Sequence, residues 1–252
     1  MVRLSGYLNL LFEEGSFPER VDRVAEAGLE GIEAYGFDLD HEAIAERAAE
    51  HDLEWVYLSG GRPDFTDSDN HEAAIESIED SLALAAEHGI HNLNVKSGDT
   101  QEGLDAEAQR ESVVAVLEDA APLTEEAGVR LVLEPLNTRV DHPGHFTTTA
   151  AEGAEIVRAV DSPNVRLLFD FYHEQITHGD VIRSFREHVD VVGHVHVADN
   201  PGRHQPGTGE INYGNVLDAV AESEYEGFVG CEFTPAVGSD PVAVMREVAD
   251  LV

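Results

Sequence analysis

The chain has 252 residues, 42% of them hydrophobic, enough to bury one large core, and its 51 acidic against 15 basic side chains give a formal charge of -36. Such a charge repels nucleic acid and anionic membrane, and no apolar run reaches the ~18 residues that cross a bilayer, so a soluble, cytoplasmic protein without nucleic-acid or membrane partners is expected. The N-terminal M-V-R-L-S-G-Y shows no signal-peptide pattern, and self-repulsion of this size is sustainable only where salt screens it, which points to a halophilic source.

In chain order, strand-like apolar runs fall near residues 4–10, 29–34, 53–58, 91–96, 129–134, 165–170, 190–196 and 227–232. Amphipathic stretches separate them. One is E-A-I-A-E-R-A-A-E-H-D, whose acids read as a solvated helix face. Another places Ile75, Ile78, Leu82 and Ala85 at helical spacing and stops at His88-Gly89. The same stop recurs at Ala27-Gly28 and Ala127-Gly128, just before strands, where glycine can take the left-handed conformation that ends a helix. Eight strand-helix units without a composition break predict one α/β domain over residues 1–252, a single-domain (β/α)8 TIM barrel. An open doubly wound sheet is the alternative, but no Gly-rich phosphate loop follows the first strand. The lone cysteine, Cys231, excludes an internal disulfide and reads as core.

Glu134, Asp170, His196 and Glu232 each close one of these runs, in L-V-L-E, L-L-F-D, G-H-V-H and V-G-C-E. In a barrel, strand C-termini converge on one mouth, where the chemistry is assembled. Three buried carboxylates converging there would repel one another without a cation. The donor mix suits one divalent metal, Mn²⁺ or Mg²⁺ first, with Co²⁺ or Zn²⁺ tolerated. His194 shares the face of His196 but lies deeper, and reads as satisfied barrel packing. Lys96, the only lysine, ends the run I-H-N-L-N-V-K. The loops after Glu134 and after His196 carry Arg, His and Asp among Pro and Gly and are expected over the mouth, with His142 and His145 as further candidates.

The segments L-V-L-E-P-L-N, L-L-F-D-F-Y-H, G-H-V-H-V-A-D-N-P-G-R-H-Q-P-G-T-G-E-I-N-Y and V-G-C-E-F-T-P resemble those of the hydroxypyruvate isomerase group within the xylose-isomerase-like barrel superfamily. The resemblance runs over essentially the whole chain and implies Glu134, Asp170, His196 and Glu232 as ligands of one divalent metal. At the position of His196, characterised hydroxypyruvate isomerases often carry glutamine, whereas related keto-sugar epimerases carry histidine. The resemblance also matches His173 and Arg203 to contacts with substrate oxygens, and places Glu33, read as ending the second strand, near the site as a ligand of a substrate hydroxyl. It implies a small hydroxycarbonyl acid or sugar as substrate. A metal chelating the carbonyl and neighbouring hydroxyl would acidify the carbon-bound proton, and Glu134 and Glu232 would serve as catalytic base and acid.

Lys96 and Arg203 could together neutralise a substrate carboxylate, with pairing of Lys96 to an acid of the metal site as the alternative. The expected activity is metal-dependent isomerisation of a hydroxycarbonyl acid or sugar. Ketose 3-epimerisation and metal-dependent dehydration are alternatives on the same residues. Endonuclease chemistry is disfavoured by the acidic surface and by the absence of further ligands for a multi-zinc cluster.

Overall fold

The computed structural model describes residues 2–252. Eight strands, β1 (Arg3–Tyr7), β2 (Gly31–Tyr35), β3 (Glu54–Ser59), β4 (Asn92–Val95), β5 (Arg130–Leu133), β6 (Val165–Asp170), β7 (Val192–Val197) and β8 (Phe228–Cys231), close into a barrel in sequence order. All neighbouring pairs are parallel, including β1 with β8. The expected (β/α)8 barrel is therefore formed. Helices such as Phe17–Ala27, His71–His88 and Ala106–Ala127 return the chain between strands, and those three end at Gly28, Gly89 and Gly128 with positive φ, as the glycine stops require.

Two apolar regions follow from strand alternation. The larger fills the space between strands and helices and includes Ile32, Leu93, Leu131, Val195 and Cys231. The smaller comprises Tyr7, Val56, Tyr57, Val132, Leu168 and Phe228. Because Val132 and Leu168 stand two residues before Glu134 and Asp170, the same alternation that buries them aims the two carboxylates into the mouth. No described helix is long and apolar enough to cross a membrane.

Most strand boundaries shift by one or two residues from the sequence reading, and two of the differences have a visible local cause. The first strand stops at Tyr7 instead of running to residue 10, and Leu8–Leu11 form a helical turn with Leu8 and Leu11 buried. The side chain of Asn9 bonds both the N–H and the C=O of Tyr35, at 2.7 and 2.8 Å, tying this turn to the end of β2. Near the seventh strand, Val189–Val191 form a 3-10 turn and extended pairing starts at Val192. Asp190 is held in that turn by Arg158 at 2.7 Å.

Candidate metal centre and active site

Strand register carries the four predicted ligands to one level. Asp170 at the end of β6 lies beside His196 of β7, and His196 lies beside Gly230 of β8, two residues before Glu232. Glu134 and Glu232 each follow their strand by one residue. Donor atoms of Glu134, Asp170, His196 and Glu232 all lie within 4.8 Å of one another. Ligands on opposite sides of a cation, each at roughly 2.0 to 2.6 Å, stand about 4 to 5 Å apart, so one ion fits among them. All four residues are buried, His196 completely.

The donor set also fits a cation electrostatically. Nδ1 of His196 is buried, has no hydrogen-bond partner and lies 3.1 Å from a Glu232 oxygen. Burial opposes protonation of this imidazole, but the charges of Glu33 and Glu232 outweigh it and raise its pKa well above the ordinary value. The position favours positive charge at Nδ1, which a proton or a metal ion provides. Burial and the Glu232 charge push Glu134 up to about 7 and Asp170 up to about 6. Burial also disfavours ionised Glu232, yet Arg203 and His196 outweigh it and hold this carboxyl well below the usual range. The two glutamates thus sit in opposite settings.

Glu33 stands elsewhere than expected. It lies in the middle of β2 instead of at its end, is completely buried, and has both oxygens engaged within the barrel. Oε2 faces Nε2 of His196 at 2.8 Å, while Oε1 faces Nε2 of His194 at 3.0 Å and accepts from the Ser5 hydroxyl. Burial would favour its neutral form, but the two imidazoles hold it down to about 2. Completely buried and absent from the lining of the pocket above the cluster, it is not placed to bind a substrate hydroxyl. It instead directs the Nε2 proton of His196 toward itself and leaves Nδ1 for the centre. His194 is the packing residue the alternation implied, stacked on Tyr57 at 5.2 Å. Gly230 makes room for the pair: a Cβ there would come 2.3 Å from Oε1 of Glu33 and 2.6 Å from Cδ2 of His196.

A pocket of about 250 Å³ opens onto two of the four ligand-type residues, Glu134 and Glu232, and is lined also by Tyr35, Lys96, His142, His173 and Arg203. A larger cavity of about 740 Å³ lies at the opposite end of the barrel, around Arg3, Arg130 and Arg166, away from these groups. In the first pocket, His173 accepts at Nδ1 from the side-chain and backbone N–H groups of Asn137, at 2.7 and 3.3 Å. Its proton therefore sits on Nε2, which has no partner and lies 3.6 Å from Asp170 and 3.9 Å from Glu134. Arg203 reaches Glu232 at 2.8 Å through Nη2, and its buried Nε is unpartnered. Its loop is organised by Asp199, which accepts from the backbone N–H groups of Asn200, Gly207, Gly209 and Ile211. His142 lines the pocket, whereas His145 packs behind it against Ser97.

Residues with no predicted role complete the site. Asn94 donates to Glu134 at 2.9 Å and is itself held by Ser59. Two-residue alternation with Lys96 in the run I-H-N-L-N-V-K was the signal that could have found it. Asn137 and Ser5 had no comparable signal, since their parts depend on partners distant in sequence.

The family model described as "Xylose isomerase-like TIM barrel" matches residues 21–251. The chain belongs to the xylose isomerase-like TIM barrel family. Within this family it is 31% identical to the hydroxypyruvate isomerase of Escherichia coli (strain K12), over 93% of this chain and 94% of that protein. It is 30% identical to the 2-oxo-tetronate isomerase of Cupriavidus necator, over 95% of each chain. A crystal structure from Brucella melitensis, named AP endonuclease, family 2, superposes with a TM-score of 0.91 at 31% identity, covering 99% of both chains.

Proposed function

We propose that the protein is a divalent-metal-dependent isomerase of a small 2-hydroxy-carbonyl compound. The observation that carries this reading is the convergence of Glu134, after β5, and Glu232, after β8, onto one pocket within the four-residue cluster. Glu134, Asp170, Nδ1 of His196 and Glu232 would hold the cation. When bound there, Mn²⁺ or Mg²⁺ supplies the positive charge that acidifies a proton on carbon next to a carbonyl. Glu134 and Glu232, the latter held by Arg203, would then take a proton from one carbon and return one to its neighbour. Nε2–H of His173 and Nε–H of Arg203 are free to donate to the substrate's oxygens. One carbon is oxidised as its neighbour is reduced, so the isomerisation needs no redox partner.

The names of the Escherichia coli and Cupriavidus necator relatives support isomerisation over dehydration. The name of the Brucella melitensis structure raises a nuclease reading, but two features of this chain oppose it. Its formal charge is -36, which repels a phosphate backbone. The second cluster of ligand-type residues among those described, Glu33 with His194 and His196, is closed by its own hydrogen bonds.

Purified protein loaded with Mn²⁺ or Mg²⁺ in high salt should convert hydroxypyruvate, tartronate semialdehyde or a 2-oxo-tetronate. In ²H₂O, deuterium should enter the carbon next to the carbonyl, seen by NMR. Dehydrated product, or no exchange with any of these compounds and a panel of ketoses, would overturn the assignment.

A further inference from the structure

Lys96 is the only lysine in the chain. It stands one residue beyond β4, in two-residue alternation with Asn92 and Asn94, which places it on the interior face at the mouth. Its side chain lines the pocket with Glu134, His173, Arg203 and Glu232, with Nζ 5.9 Å from the centre of the Tyr35 ring. Among the described residues, no carboxylate oxygen lies within the 4.0 Å of an ion pair to this ammonium. The other pocket cation differs in this respect, since Arg203 is committed to Glu232 at 2.8 Å. Pairing of Lys96 with an acid of the metal site, the alternative raised by the sequence, is therefore not formed.

A chain with 51 acids offers partners in abundance, and long charged side chains at partly buried positions are ordinarily paired. An ammonium left without one, over an aromatic face and beside the reacting carboxylates, is a preformed receptor for an anionic group of the ligand. We propose that Lys96 is the specificity residue of this pocket and receives the substrate's carboxylate, so that the substrate is a 2-hydroxy-carbonyl acid and not a neutral ketose. The acid group then lies at Lys96 and Tyr35, and the adjoining carbons lie between Glu134 and Glu232. Arg203 is left to hold Glu232 and a neutral oxygen. The inference rests on the isomerase reading for its reaction, but not for its recognition chemistry.

The experiment compares hydroxypyruvate with dihydroxyacetone, which replaces the carboxylate by a hydroxymethyl group, on the Mn²⁺-loaded protein and on Lys96→Met and Lys96→Arg. Because a hydrogen bond to a charged group is lost, Lys96→Met should lower kcat/KM for hydroxypyruvate on the order of 10- to 100-fold more than for dihydroxyacetone, mainly through KM. Lys96→Arg should recover part of that difference. Equal losses on both compounds would mean that Lys96 only tunes Glu134 or supports the fold, and would overturn the assignment. A second readout is independent of turnover: titration calorimetry with glycerate, which has no carbonyl to isomerise, on the full chain. Wild type should bind it about 10-fold or more tightly than Lys96→Met. If wild type converts neither compound, the isomerase reading falls while the glycerate titration still decides the role of Lys96. Equal glycerate affinity in the two proteins sinks it.

Discussion

Replacing Glu33 by Gln keeps the side chain's volume but removes one charge and one acceptor from the middle of the barrel. Glu33 is completely buried, with His196 Nε2 at 2.8 Å, His194 Nε2 at 3.0 Å and the Ser5 hydroxyl on its two oxygens. The amide oxygen can keep one imidazole partner, while the amide N–H group then faces the other. Either a buried donor stays unmet, at about 1 to 3 kcal/mol, or one ring changes tautomer. If His196 moves its proton to Nδ1, it no longer offers a lone pair to the centre, and loss of the group behind a metal-ligating histidine weakens affinity about 10- to 100-fold. Denaturant unfolding of the chelator-treated protein should therefore show a loss of about 1 to 3 kcal/mol. Titration calorimetry should show weaker Mn²⁺ binding in the range just given. Unchanged Mn²⁺ affinity in folded Glu33→Gln and Glu33→Leu proteins, the second of which offers His196 no acceptor, would refute the view that Glu33 orients the ligand, even if stability fell.

Glu134→Gln and Glu232→Gln should each reduce isomerisation by about 10² to 10⁴-fold in protein whose metal content, measured alongside, is retained, because an amide can ligate weakly but cannot exchange the substrate proton. Near-normal turnover with full metal would leave that glutamate a ligand only. Melting temperature should fall as salt is lowered from molar to 0.1 M, since screening of the -36 formal charge weakens as the Debye length grows from ~3 to ~10 Å; a constant melting temperature would remove the argument for salt adaptation. Burial, aided by the charges of His142 and Lys96, pushes His145 down to about 4. The unfolded chain takes up this proton first, near 6.5, so the stabilisation is complete above that pH and lost as pH falls toward 4, about 3 kcal/mol by linkage. Urea unfolding of His145→Asn at constant salt should show a shallower decline over that range than wild type, and parallel curves would count against it.

The fold and the convergence of the four ligand-type residues were legible for the same reason. Each of Glu134, Asp170, His196 and Glu232 closes an apolar run, and parallel strands of one barrel deliver such positions to one end whatever the intervening loops do. Boundaries were less legible where side chains override the apolar pattern. The run from residue 4 to 10 reads as one strand, yet it breaks after Tyr7 because Leu8 and Leu11 are buried on a helical turn that Asn9 ties to Tyr35. Glu33 was misplaced because alternation gives the face of a residue and not its depth. Its contacts with His194 and His196, more than 160 residues away, exist only once the barrel has closed.

Electrostatics divides the molecule in two. The exterior carries nearly all of a large negative excess, which holds an anionic substrate off at long range when salt is low and ceases to act beyond about 3 Å when salt is molar. Recognition of an acid then falls to contacts inside the pocket, where exclusion of water and ions leaves a direct pair little screened. Of the two cations there, Arg203 is spent on keeping Glu232 anionic, and only Lys96 is without an acidic partner. On the proposal that Lys96 receives the substrate's carboxylate, a chain whose one lysine lies in the pocket divides the labour: the negative excess lies outside, and one local charge would read the substrate.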